Sequence, residues 1–390
     1  MLRCRFLLRA VWVLVSTLTM VRAQVAPPAA APDGTPPPSM ASLLATLPAW
    51  SLATSVDAGF GYKDNLLLSH AGEEGSAFAR GAVNATALHL RLGERTDYSF
   101  GLNAEGTRYF SGTSVDHDAK AFALAKWRYR VGEVFKFVFD LEGYYKDMVF
   151  DVSDTDVQRV VAQLKVVGAI AGPTVRWRFV PWAWVEARAV GKRASYQETF
   201  FNHHIGEGSV RLGWQPSARF ELSAAGFERS RDYDRHTQYS VSGRALDGTH
   251  LKIIEREAEL RAEVTWDQAA HWKTTTVAGP CAYHDNGSGY TNYRERRLEQ
   301  DLDWNSDDWR LHVEGTAKQL HFAVQTVGLG LSPPRRVKEE FTAQLRLERK
   351  LSERWTIFGE VNWERNRCND PIASYNMNEG LLGARWNWEK

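Results

Sequence analysis

From residue 51 onward the chain alternates apolar and polar positions with a period of two, and helical periodicity is nearly absent. Leu52, Thr54, Val56, Ala58, Phe60 and Tyr62 share one face of the first segment; Ala53, Ser55, Asp57, Gly59 and Gly61 share the other. The pattern returns at Tyr98–Ala104, Phe135–Leu141, Ala258–Trp266, Trp309–Ala317, Phe341–Leu347 and Trp355–Trp363. A soluble antiparallel sheet also alternates, but its strands usually run to about 5–6 residues. Many segments here reach 10 to 14 residues, the length a tilted strand needs to cross a bilayer. Gly and Ala also occupy sites on the apolar face that a packed core would fill with bulk.

Connection lengths alternate as well. Short polar connections fall at Gly93–Thr96, Val131–Val134, Phe179–Trp182, Gln215–Arg219, Asp267–His271, Asn305–Asp308 and Lys350–Arg354. Long ones fall near Lys63–Phe78, Ser111–Asp118, Asp147–Asp156, Gln197–Gly206, Arg229–Lys252, Gly279–Asn292, His321–Arg336 and Arg365–Asn376. Seven short and eight long connections give sixteen strands, an even number as single-chain bacterial barrels have. The expected fold is therefore all-β: a transmembrane antiparallel up-and-down β-barrel over residues 51–390. Two places leave 14 or 18 strands open: Val157–Phe179, interrupted by Gly172-Pro173, and Arg229–Lys252, where Asp247-Gly248 would suit a hairpin tip.

Tryptophan placement tests this map. Trp127, Trp177, Trp182, Trp184, Trp214, Trp266, Trp272, Trp304, Trp309 and Trp355 lie within a few residues of a short turn. Trp50 opens the first strand, and Trp386 and Trp388 close the last, at the same end of the barrel. Indole is amphipathic and settles at the membrane–water boundary, so these form one girdle, on the periplasmic side that short turns mark. Tyr62, Tyr109, Phe110, Tyr144, Tyr145 and Tyr196 are expected to supply a looser outer one.

The N-terminus reads as an address. Arg3, Arg5 and Arg9 precede the apolar run Ala10 to Val21, and Val21-Arg22-Ala23 suits cleavage after residue 23. Residues 1–23 are thus expected to be a signal peptide, and 24–50, rich in Pro and Ala, a periplasmic linker. The mean hydropathy of −0.40 excludes a helical membrane bundle. Lys+Arg at 48 against Asp+Glu at 47 excludes the basic surplus of a dedicated nucleic-acid binder. Past the signal only Cys281 and Cys368 remain, free to pair in an oxidising compartment or to stand as two loop thiols.

Gly383-Ala384-Arg385-Trp386-Asn387-Trp388 resembles the closing-strand signal by which outer-membrane barrels are recognised for insertion; Leu382 replaces a usual polar residue, and Glu389-Lys390 extend past the usual terminal aromatic. Gly59-Phe60-Gly61-Tyr62-Lys63-Asp64-Asn65-Leu66 resembles the Gly-Tyr-Asp-Asp-Asn element in first strands of β-barrel porins, including members associated with exopolysaccharide export; Lys63 departs from the usual Asp. The resemblance implies an outer-membrane channel, with lipid and the barrel-assembly machinery as partners, and carries over no catalytic residue.

A barrel of about sixteen strands is too wide to be filled by its own side chains. Parity assigns Lys126, Arg128, Arg130, Lys136, Arg176, Arg178, Arg188 and Arg211 to one basic stretch of inner wall, and Glu257, Glu259, Glu263, Glu299, Asp301, Asp303 and Glu314 to an acidic one. Facing charges would set up a transverse field that orders polar solutes; the open alternative is that they pair across strands and merely solvate the wall. Phe122, Tyr144, Phe227 and Phe358 are inward aromatics on which sugars could stack, and Arg229–Lys252 is the candidate constriction loop.

Candidate chemistry is sparse. His203-His204 are adjacent and point apart, no spacing completes a metal site, and no cofactor motif appears. His284-Asp285 near Cys281 lies in a Gly-rich loop, and Asp232, Asp234 and His236 lie in an outer loop where a surface protease would keep acid–base groups. The reading is a passive channel for small polar solutes or saccharides. The alternatives are a barrel-embedded hydrolase and a non-conducting barrel of an export system.

Overall fold

The computed structural model describes residues 50–389 apart from 71–72, 90–94, 112–113, 152–160, 268, 270 and 329. Both the signal segment 1–23 and residues 24–49 of the linker lie outside the described residues. Period-two alternation emerges as long strands: β1 (Trp50–Lys63), β2 (Ser76–His89), β3 (Thr96–Tyr109), β4 (His117–Val131), β5 (Phe135–Asp151), β6 (Val161–Val180), β7 (Ala183–Tyr196), β8 (His203–Ser217) and β9 (Phe220–Tyr233). After a two-rung hairpin, β10 (Gln238–Tyr239) and β11 (Ala245–Leu246), come β12 (Lys252–Thr265), β13 (Trp272–Asp285), β14 (Tyr293–Asn305), β15 (Trp309–Thr326), β16 (Arg335–Lys350), β17 (Trp355–Cys368) and β18 (Tyr375–Glu389). All but the hairpin pair in sequence into one closed antiparallel wall of sixteen strands.

The two uncertain places resolve simply. Val161–Val180 is one strand, with Gly172-Pro173 inside it. The β9–β12 connection keeps its own small hairpin, which adds nothing to the wall. Closure joins the ends of the chain: β1 pairs with β18 from Ala53↔Glu389 to Lys63↔Glu379. Every strand of the wall therefore has a neighbour on both sides and no open edge remains, the condition for crossing a hydrocarbon layer.

Glycine shapes the seam. A Cβ at Gly61 would collide with the Phe78 ring and the Gly380 carbonyl; one at Gly383 would collide with the Phe358 ring and the Ala58 carbonyl. Each aromatic lies across the strand from its glycine, Phe78 opposite Gly61 and Phe358 opposite Gly383. Tyr144 covers Gly168 and Trp184 covers Gly213 in the same way. Large rings thus lie flat along the wall instead of standing across the lumen.

Candidate functional site: the barrel lumen

One parity of each strand carries most of the large exposed apolar side chains, among them Phe100, Leu141, Leu212, Leu260, Val361 and Leu382. Charges occupy the other parity, and their reach shows which way it points. Arg346 on β16 bonds Asp57 on β1 at 3.3 Å, although three strand intervals, about 14 Å of wall, separate them. Side chains converge over such a span only on the concave face. The charged parity is therefore inward.

The inner wall divides into three stretches. Around the seam runs a continuous ionic belt. Asp57 takes a bidentate bond from Arg385, 2.8 Å to Nε and 2.9 Å to Nη2. Arg346 adds Glu348 at 2.7 Å and Glu360 at 2.8 Å, and Arg385 reaches Glu348 at 3.1 Å. Arg80 bonds Glu379, Glu360 and Glu105, and Lys120 takes Glu105 at 3.2 Å. With Arg310 beside Glu348 at 3.9 Å, the belt joins β15, β16, β17, β18, β1, β2, β3 and β4, half the ring.

A second cluster links β8, β9, β12 and β14. Arg211 bonds Glu259 at 2.7 Å, Arg229 bonds Glu207 and Glu257, Arg231 bonds Glu255 at 3.0 Å, and Arg297 bonds Glu257 and Glu299. Glu263 takes Arg261 at 2.8 Å and Lys273 at 3.1 Å, and Asp303 takes His312 at 2.8 Å.

The third stretch is less tied. On β4 to β7, Lys126 pairs with Asp140 at 3.3 Å, Arg128 with Asp97 at 3.4 Å and Arg176 with Glu186 at 2.8 Å. Lys136 and Arg188 have no ion partner among the described residues, and Arg178 only a 3.4 Å bond to the Gln215 amide. Asp301 and Glu314, register neighbours on β14 and β15, likewise lack a cation among the described residues. In the ring order, β14 and β15 stand eight strands from β4 and β5, the far side of a sixteen-strand circle.

Inward aromatics are present but covered. Lys146 lies over Phe122 at 5.5 Å and Lys192 over Tyr144 at 5.5 Å; Arg229 lies over Phe227 at 5.4 Å and Arg346 over Phe358 at 4.0 Å. Their faces are engaged by cations, so they form no open stacking track. Arg176 sits 3.8 Å from the centre of the Trp184 ring.

Several aromatic expectations need correction. Trp184, expected in the girdle, is 1% exposed and faces inward. Parity is the reason: it shares a face with Glu186. Tyr109, Tyr144 and Tyr196 also turn inward, Tyr109 to bond Asp118 at 2.6 Å, so of the outer aromatic set only Tyr62, Phe110 and Tyr145 are exposed on the outside. The remaining girdle residues, Trp127, Trp177, Trp214, Trp266, Trp272, Trp304, Trp309, Trp355, Trp386 and Trp388, sit on outward positions at the short-turn end.

The disulfide alternative fails. Cys281 and Cys368 are both free. They share one hydrogen-bonding row, Cys281–Glu295–Leu320–Lys338–Cys368, four strand intervals apart, far beyond the reach of a disulfide. The histidine pair opens β8 instead of lying in a loop: His203 faces inward, bonded to the Phe201 carbonyl at 2.9 Å, and His204 faces outward, 4.0 Å from Asp232. Asp234 bonds Arg193, which holds its carboxyl below the usual range. His236 is buried against Phe200, ring centres 4.1 Å apart. Asp232, Asp234 and His236 thus point to three different neighbours.

Two long connections lean over the mouth from opposite sides. In the β9–β12 connection His236 packs on the inward Tyr233 at 5.0 Å, and the Tyr239 carbonyl accepts from Ser288 at 2.7 Å. In the β1–β2 connection Leu66 joins a buried cluster with Phe78, Tyr109, Val115, Phe358 and Leu381. Asn65, fully buried, donates to the Ser69 and Asn376 carbonyls at 2.8 and 2.9 Å; Asp64 accepts from the Asn378 backbone at 2.7 Å. The Gly59–Leu66 element is thereby a staple between the first connection and the last strand.

Residues 287–386 match the model of a family described as "Protein of unknown function, DUF481". No curated protein sequence matches the chain. Among solved structures the chain is similar to OccAB3 of Acinetobacter baumannii (8% identity, 87% of this chain and 99% of that one, TM-score 0.46). It is similar to an anion-selective porin from Comamonas acidovorans (9%, 87% and 99%, 0.45) and to the outer membrane protein OpdK of Pseudomonas aeruginosa (8%, 87% and 99%, 0.46). No residue role or solute is carried over from them; what this chain itself displays is a closed, porin-like barrel with a charged interior.

Proposed function

We propose that the protein is an outer-membrane channel through which small polar solutes diffuse passively. One observation carries this reading: a ring of sixteen strands closed on itself, apolar outside and charged inside. An apolar exterior on a closed wall fits hydrocarbon, and a wall of this circumference leaves a wet interior. Outward tryptophans at the short-turn end support a periplasmic lipid boundary. Export by residues 1–23, tethering by 24–50 and insertion through the closing strand complete the proposal.

Selection would work by width, by the two mouth connections and by wall charge. Lys136, Arg178 and Arg188 against Asp301 and Glu314 give a residual transverse field that paired charges do not cancel. Saccharides are the finer assignment, resting on the resemblance at Gly59–Leu66. A hydrolase reading would need Asp232, Asp234 and His236 to converge on a substrate, and their separate engagements do not favour it.

Planar-bilayer recording of the refolded protein tests the proposal. Stable open steps are expected. Silence from protein shown to be folded by heat-modifiable gel mobility would overturn the channel reading in favour of a non-conducting barrel.

A further inference from the structure

At the long-connection end, the outer wall carries charges just above the apolar belt, and around most of the ring they come in pairs. Arg108 bonds Asp116 at 2.7 Å, Lys165 bonds Asp147 at 3.4 Å, Arg256 bonds Glu228 at 2.9 Å, and Arg193 bonds Asp234. Between β14 and β17 the pairing stops. Arg294 and Arg296 on β14 and Arg365 and Arg367 on β17 are all outward, and none of their side chains forms an ion pair or hydrogen bond with another described residue. Arg365 Nε is shielded from solvent and lacks a hydrogen-bond partner. The one carboxylate among them, Glu339, accepts from Gln319 at 3.3 Å.

The four arginines are ordered by the wall. Register places Arg296, Gln319, Glu339 and Arg367 on one row, and directly beneath it Leu298, Ala317, Phe341 and Arg365. Below these lie the exposed Leu345, Val361 and Trp363. A guanidinium pair on each side thus spans three strand intervals, about 14 Å, above an apolar floor. Guanidinium forks match phosphate oxygens bidentately.

We propose that this patch binds the phosphorylated headgroup of an outer-leaflet lipid, with the acyl chains lying on the floor beneath. The inference goes beyond the channel reading and rests only on its membrane placement. A lipid is favoured over a free anion because head-binding and tail-binding surfaces are stacked on the same strands in the order a leaflet requires.

The test uses the refolded full chain in neutral detergent and native mass spectrometry, with bisphosphorylated lipid A as the probe and phosphatidylethanolamine as the reference. Wild type is expected to retain lipid A preferentially, and R294Q/R296Q/R365Q/R367Q to retain it about a hundredfold more weakly. R256Q, which removes a paired arginine at the same height, should retain it as wild type does. Equal retention of the two lipids, equal retention by the quadruple variant, or displacement of lipid A by millimolar inorganic phosphate would each overturn the proposal. Conductance of the quadruple variant is expected to be unchanged, since these side chains lie outside the lumen; a silent wild type that still retained lipid A would remove the channel and leave the lipid site standing.

Discussion

The stretch of inner wall around the seam and the stretch running from β4 to β7 use the same residue types to opposite ends. Around the seam, arginines are shared among two or three carboxylates each, and the acids are nearly buried: the side chains of Glu360 and Asp57 are 6% and 11% exposed. On β4 to β7 the cations sit in a wetter wall, as with Lys126 at 46%, and several have no acid. The first arrangement holds a closure shut. The second leaves field for a solute, because only charge without a local partner projects into the lumen. A count of charges by wall cannot distinguish the two; partnership can.

The sharpest way to break this comparison is at Gly61. Gly61→Val would set branched carbons against the Phe78 ring and the Gly380 carbonyl, and no closed barrel is expected on refolding, read as loss of the heat-modifiable band. Next comes the belt itself. Arg385→Ala leaves Asp57 and Glu348 short of a cation and is expected to cost about 3 kcal/mol of stability in urea unfolding; the Asp57→Ala/Arg385→Ala pair should be non-additive by at least about 1 kcal/mol. Additive losses would show that the belt is not one network.

The loosely paired stretch should respond in transport instead. Reversing Arg178 and Arg188 to Glu is expected to shift the reversal potential in a salt gradient toward cations, with little change in unfolding midpoint. Asp301→Asn with Glu314→Gln is expected to shift it the other way, by less. An unchanged reversal potential in both would contradict a conducting role for these side chains. The smallest effect belongs to Asp234, whose depressed carboxyl comes from its bonds to exposed Arg193. A depressed carboxylate stabilises above its unfolded-state range and stops doing so as pH falls through its folded value. Protease nicking of residues 234–251 should therefore rise on acidification, and Asp234→Asn should already show part of that rise at neutral pH.

Strand number and connection order were legible because both follow from period two and from turn residues, signals local to each segment. Inward parity was legible for Lys126, Arg211 or Glu257 for the same reason. The seam was not, since Asp57 and Arg385 are far apart in sequence and only closure brings them together. Trp184 shows a different limit: proximity to a short turn suggested the girdle, while its parity with Glu186 already pointed inward. The cation-covered rings and the unpaired arginines of β14 and β17 depend on which neighbours register supplies, which no single strand reveals.

The β1–β18 joint has a consequence for biosynthesis. Asp57 stands on the first strand of the wall and its bidentate counter-ion, Arg385, on the strand that closes it. A polypeptide released before Tyr375 would present two bare sheet edges and an orphaned anion where hydrocarbon should seal the gap. A wall lacking β18 would thus fail to shut electrostatically as well as through its unpaired edges.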